Sequence, residues 1–107
     1  MRLIHIQEAI SGLLGYVEKV EYEAFDQDPM RLDACLRKLE VIGEAANHLS
    51  ESLQTAHSHI AWGKVVGLRN LLIHQYFRVD SEIIWNIIQH DILLFQQQIE
   101  HLIKTLP

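Results

Sequence analysis

Pro29-Met30-Arg31-Leu32-Asp33-Ala34-Cys35-Leu36-Arg37-Lys38-Leu39-Glu40-Val41-Ile42-Gly43-Glu44-Ala45-Ala46-Asn47-His48-Leu49-Ser50-Glu51-Ser52-Leu53 carries the most regular apolar seam in the chain. Leu32, Cys35, Leu39, Ile42, Ala46, Leu49 and Leu53 alternate steps of three and four, which lines them along one face of a helix. The spacing predicts a helix from Pro29 to about Leu53. Asp28 is its expected N-cap, and Pro29 sits at the first helical position, where its missing N–H costs nothing. Cys35 falls on the seam and reads as a small core hydrophobe. Gly43, beside Ala45 and Ala46, marks a thin place where another helix can come close. Glu44 is either a plain exposed helix charge or a carboxylate that reaches Arg69 and orients it.

Three further helical segments surround this one. Leu3, Ile6, Ile10, Leu13, Val17 and Val20 make a stripe that predicts a first helix over about 2–24, weakened locally by Gly12 and Gly15. Phe25 to Pro29 then reads as a turn. Small and polar residues over Ser52–Ser58 suggest a connection, and a third helix is expected from about Ile60, burying Trp62, Val65, Val66, Leu68, Leu72 and Ile73. Gln75–Val79 reads as a bend before a last helix capped by Asp80. That helix carries Ile84, Ile88, Ile92, Phe95, Ile99, Leu102 and Leu106 on one stripe, with Ile83, Ile87 and Leu94 on a second. Two apolar stripes exceed what one intramolecular seam needs, so part of this helix is expected to meet another subunit. The fold class that follows is all-α: residues 1–107 as one domain, an antiparallel four-helix bundle forming a two-fold homodimer.

Composition narrows the function. A formal charge of -5 argues against indiscriminate coating of nucleic acid, but not against a small local site. The first twenty residues lack the unbroken apolar core of a signal peptide, and no run is long enough to span a bilayer. With a single cysteine, an internal disulfide is impossible, so a cytoplasmic location without membrane association is the default expectation.

The chemistry gathers where the acidic residues stop. None occurs between Glu51 and Asp80, an interval that holds His57, His59, Lys64, Arg78 and the stretch Arg69-Asn70-Leu71-Leu72-Ile73-His74-Gln75-Tyr76. Arg offers permanently charged, geometrically fixed donors and His moves a proton near neutral pH, a pairing suited to a phosphate group. Cleaving a phosphodiester without a metal needs a base for the attacking hydroxyl, an acid for the leaving oxygen and cations for the charge on pentavalent phosphorus. His74 fits proton transfer, Arg69 the charge role, and Asn70 can position the ring or the phosphate. The bland alternatives are a helix-end imidazole, a surface guanidinium, a capping amide and, for Tyr76, a core or interface aromatic. On a continuous α-helix, at about 100° per residue, Arg69 and His74 would stand about 140° apart. Either the helix ends near His74, or groups from two chains converge. A metal centre is not expected, because no Glu is followed three residues later by His, and His57 and His59 lie in an expected connection with no neighbouring ligand. There is neither a Gly-rich phosphate loop nor a Gly-x-Ser-x-Gly elbow.

The order Arg, Asn, three apolar residues, His, one residue, Tyr resembles the signature of the HEPN superfamily, specifically its HepT toxin group. Ile42-Gly43-Glu44-Ala45, Trp62 with Val66-Gly67-Leu68, and Tyr76-Phe77-Arg78-Val79-Asp80 extend the resemblance from about Leu32 to the end. Ala61 departs from it, since a proline is expected before the Trp. The resemblance implies a cofactor-free ribonuclease acting on RNA through Arg69, Asn70 and His74. It also implies a partner, an MntA-type nucleotidyltransferase antitoxin that adds AMP to Tyr76. The reading from another class is a non-catalytic helical adaptor that binds a protein or a nucleotide.

Overall fold

The seam that opens at Pro29 forms the central helix. The computed structural model describes residues 2–70 and 80–106, all-helical or in turns, with no strand among them. His74, Tyr76, the expected bend at 75–79 and the expected buried positions Leu72 and Ile73 lie outside the described residues. Seven α-helices are present among the described residues: α1 (Arg2–Val17), α2 (Tyr22–Asp26), α3 (Pro29–Asn47), α4 (Glu51–Ala56), α5 (Trp62–Gly67), α6 (Ser81–Asn86) and α7 (Leu93–Thr105). A 3₁₀ turn, Leu68–Asn70, continues α5, and a π-helical stretch, Ile87–Ile92, joins α6 to α7.

Asp28 caps α3 as its sequence predicts: its carboxylate accepts from the Arg31 backbone N–H and from Arg31 Nε, each at 3.1 Å. The backbone bond first, then the guanidinium, hold this carboxyl below the ordinary carboxylate range. A lowered folded-state pKa means the cap contributes above the usual carboxylate pKa and loses that contribution as pH falls below it. The helix buries Cys35, Leu36, Leu39, Ile42, Gly43 and Ala46. It ends at Asn47, short of the expected Leu53, because Ser50 starts a new helix there. The Ser50 hydroxyl accepts from the Leu53 N–H at 3.1 Å, and Gln54 Nε2 donates back to the Ala46 carbonyl at 3.1 Å, satisfying both broken ends. Leu49 and Leu53 still pack on the core, on either side of the break. The expected connection at Ser52–Ser58 is therefore largely helical, as α4.

The first expected helix is likewise cut. α1 buries Leu3, Ile6, Ala9, Ile10, Leu13 and Val17, then stops at Val17 instead of running to residue 24. Lys19 takes φ +60°, and the Val20 N–H returns to the Val17 carbonyl at 3.0 Å. A left-handed lysine costs about 1–2 kcal/mol. The reversal redirects α2, so that Phe25 enters the core with its ring 5.0 Å from that of Trp85, and Tyr22 packs at 5.9 Å on the same indole. Burying a Phe is worth about 1.5–3 kcal/mol, enough to offset the turn. Of the two glycines in α1, Gly12 faces the Lys38 side chain and Gly15 faces open space.

α1 and α3 run antiparallel, with Gly12 beside Lys38 and the Tyr16 carbonyl beside Arg31. The last helical run is capped by Asp80, whose Oδ1 accepts from the Glu82 and Ile83 N–H groups at 3.0 and 3.4 Å. Ile84, Ile88, Ile92, Phe95, Ile99 and Leu102 are buried, whereas Leu106, expected on the same stripe, is 39% exposed. The π stretch is unanticipated and has a geometric use. Each step of four along an α-helix advances the stripe by about 40°, so Ile84, Ile88 and Ile92 would drift off the core; a wider turn takes up part of that drift. The second stripe stays largely uncovered, with Ile83 and Leu94 at 55% and 57% exposure.

α5 crosses α3 at Gly43. An added Cβ there would meet the Arg69 backbone nitrogen at 2.7 Å and the Val65 carbonyl oxygen at 2.9 Å, so the thin place expected from the sequence is where the chain carrying Arg69 rests. Trp62 anchors the start of α5, its ring edge-on to Phe95 at 5.9 Å and its Nε1 donating to the His57 carbonyl at 3.1 Å. Gly43→Ala must push backbone apart. It should cost about 1–3 kcal/mol, lowering Tm by roughly 4–8 °C per kcal/mol in a domain of this size. Gly63→Ala, where an added Cβ meets nothing within 4 Å, should leave Tm unchanged or raise it. Thermal unfolding followed by circular dichroism checks both, and a Gly43→Ala protein as stable as the parent would refute the close crossing.

Candidate functional site

Arg37, Val41, Glu44 and His48 follow steps of four, three and four and so share one face of α3. Arg2 and His5, three residues apart, share a face of α1 near its start. The antiparallel pairing of α1 and α3 brings these two faces together, and the 3₁₀ turn after α5 closes the third side. The result is a cleft of about 720 Å³ lined by Arg2, His5, Arg37, Glu40, Val41, Glu44, Ala45, His48, Arg69 and Asn70.

Two neighbouring residues of α3 fix Arg69. Gly43 lets its backbone approach, and Glu44 holds its side chain, with Nη1 3.8 Å from Glu44 Oε2. That distance is an ion pair and too long for a hydrogen bond. The other oxygen, Oε1, lies 3.0 Å from His48 Nε2, so one carboxylate serves a guanidinium and an imidazole. Glu44 is 54% exposed, and pairs in such solvent contact add at most about 1 kcal/mol of stability. Orientation is what the contact supplies. Arg37 pairs with Glu40 on the same helix, while Arg2 and His5 have no ion-pair partner among the described residues.

Arg69 and Asn70, adjacent in the 3₁₀ turn, both face this cleft, with Glu44 beside them. His74 and Tyr76 lie outside the described residues, so neither is placed in it. At Leu68–Asn70 the chain tightens from α-helix to three residues per turn, and the path from there to His74 lies outside the described residues. Arg2, His5, Arg37 and His48 are not among the residues that the sequence pattern singles out. The three-four spacing on α3 was the available signal, but the apolar seam of that helix masks it.

Cys35 is fully buried, and burial pushes its thiol up to about 11, which makes it inert as a nucleophile. His57 and His59 stand edge-on with ring centroids 6.2 Å apart, and among the described residues no three His, Cys, Asp or Glu side chains are grouped as a metal site. No described helix is long and apolar enough to cross a membrane.

A family model described as Ribonuclease HepT-like matches residues 6–102, nearly the whole chain. The chain belongs to the HepT-like family. Among its relatives, "Putative RNase TTE0752" of Caldanaerobacter subterraneus subsp. tengcongensis is 34% identical over 102 residues, covering 95% of this chain and 91% of its own. "Probable ribonuclease HepT" of Thermococcus cleftensis is 32% identical over 99 residues, 92% of this chain and 90% of the relative. "Putative RNase MJ1380" of Methanocaldococcus jannaschii is 31% identical over 98 residues, with 92% and 90% coverage. No solved structure gives a significant match.

Proposed function

We propose that this HepT-like chain is a metal-independent endoribonuclease of a toxin-antitoxin pair. One observation carries the reading: in a chain matched along its length by proteins named as ribonucleases, Arg69 is held beside Asn70 at a cleft rich in arginine. Arg69 supplies fixed positive charge to the phosphate under attack. His74, five residues on, moves the proton. The 2′-hydroxyl gives up its proton as the O2′–P bond forms, the P–O5′ bond breaks, and the departing 5′-oxygen takes a proton. Products are a 2′,3′-cyclic phosphate and a 5′-hydroxyl. Asn70 holds the phosphate or the His74 ring, and Glu44 keeps the guanidinium turned toward the cleft.

Control comes from an MntA-type nucleotidyltransferase. Tyr76 lies two residues past His74, and its phenolic oxygen attacks the α-phosphorus of ATP, forming a Tyr–O–AMP phosphodiester and releasing pyrophosphate. The added charge and bulk beside Arg69 and His74 exclude RNA. A homodimer pairs two such motifs, and exposed Ile83 and Leu94 suit the contact.

Arg69→Ala and His74→Ala should abolish cleavage of total RNA in excess chelator, and abolish growth toxicity, with circular dichroism unchanged. A folded His74→Ala protein that cleaves fully removes His74 from the mechanism. Sedimentation should give a dimer at assay concentration, and an active monomer would refute the paired motif. Tyr76→Phe keeps the ring without the acceptor: it should retain substantial cleavage yet resist silencing by partner, ATP and magnesium. Mass spectrometry should find one or more AMP masses on the peptide containing Tyr76 in the parent and none there in the variant. Silencing with no added mass would mean that the partner acts by masking alone.

A further inference from the structure

The cleft is more basic than catalysis by one motif requires. Three of the chain's five arginines, Arg2, Arg37 and Arg69, line it, along with two histidines, His5 and His48, in a protein of net charge -5. Only Glu40 and Glu44 oppose them, and each is already engaged, Glu40 by Arg37 and Glu44 by Arg69 and His48. Arg2 and His5 therefore bring charge and donors that no described carboxylate uses. α1 also carries no acidic residue in its first turn, so nothing on that turn offsets the positive end of its dipole. Arginine, with no lysine among the lining residues, fits paired phosphate oxygens with its planar fork.

We propose that Arg2 and His5 of α1, with Arg37 of α3, form a subsite that grips a backbone phosphate of single-stranded RNA next to the phosphate faced by Arg69. The inference rests on the ribonuclease reading for its substrate. The subsite comes from α1 and α3 and Arg69 from the 3₁₀ turn, all lining one cleft, so a strand bound there can meet both. Arg37 meets Glu40 through Nη1, and its side chain is 69% exposed, which leaves its Nε and Nη2 donors for a phosphate. The imidazole of His5 adds a donor, and a flat surface on which a base can stack.

A fluorescent 2′-O-methyl oligoribonucleotide of mixed sequence tests this, because it lacks the hydroxyl needed for cleavage and reports binding alone. Affinity is measured by anisotropy across a salt series for the full chain, for Arg2→Gln, for Arg37→Gln and for Lys104→Gln, a cation outside the cleft. Each arginine variant should bind about tenfold more weakly, with a log–log salt slope shallower by about 0.7 for each phosphate that is no longer neutralised. Lys104→Gln should keep the parent slope. Arginine variants that match Lys104→Gln, or a parent protein that does not bind the oligonucleotide, overturn the subsite. Cleavage of unmodified RNA by the parent is scored separately: if it is absent while the arginine variants lose affinity and slope, the ribonuclease reading falls and the nucleic-acid subsite stands.

Discussion

The crossing of α3 and α5 at a residue without a side chain sets the geometry of everything near the cleft. Helices normally pack 8–10 Å apart because their side chains hold them there. Here backbone meets the glycine directly, with the Arg69 nitrogen only 2.7 Å from where a Cβ would be. Arg69 is thereby fixed by main chain rather than by a long mobile side chain, and the next residue on α3, Glu44, meets its guanidinium. Position and orientation thus come from consecutive residues of one helix, and a slip of α5 along α3 would forfeit both together.

The rest of the fold serves to keep that helix in place. Ile42 and Ala46 are fully buried on either side of Gly43, and Trp62 ties the start of α5 both to Phe95 of α7 and to the His57 carbonyl. The reversal at Lys19 brings Phe25 and Tyr22 onto Trp85, which fastens α6 to α2, and α2 leads directly into the start of α3. Each contact is ordinary apolar packing. Their joint effect is to fix the helices that flank α3 in sequence while its middle receives α5.

Apolar periodicity made the main helices legible, and Asp28, Ser50 and Asp80 show why their ends were legible unevenly. Asp28 and Asp80 stand just before apolar runs with turn residues upstream, and both cap as read. Ser50 caps as well, but inside a seam whose three-four alternation continues unbroken through it, and the period outweighed the cap. The left-handed turn at Lys19 had no glycine or asparagine to announce it, because it is stabilised by Phe25 reaching the core, a tertiary effect. The π stretch is of the same kind, being an accommodation of isoleucines spaced by fours to a core they must all reach. At the cleft, Arg69 and Asn70 were legible because they are neighbours in sequence. Arg37 and His48 share a face of α3, but Arg2 and His5 reach them only through the antiparallel pairing of α1 with α3, and no local pattern joins residue 2 to residue 48.

The strength of the Glu44 contact bears on how such a cleft can work. A buried, hydrogen-bonded carboxylate would hold Arg69 tightly, and breaking that pair costs about 3–5 kcal/mol. A phosphate would have to supply that energy before receiving any stabilisation from the guanidinium. At 3.8 Å and half exposed, with its other oxygen committed to His48, Glu44 instead restrains Arg69 at little energetic depth. A phosphate, which can accept two guanidinium hydrogen bonds at once, then competes successfully. Under the proposed function, Glu44 keeps Arg69 from folding back onto the surface when the cleft is empty and yields it when RNA arrives. Weakness in this ion pair is thus a condition of its use, and the close backbone contact at Gly43 is what allows the side-chain contact to be weak.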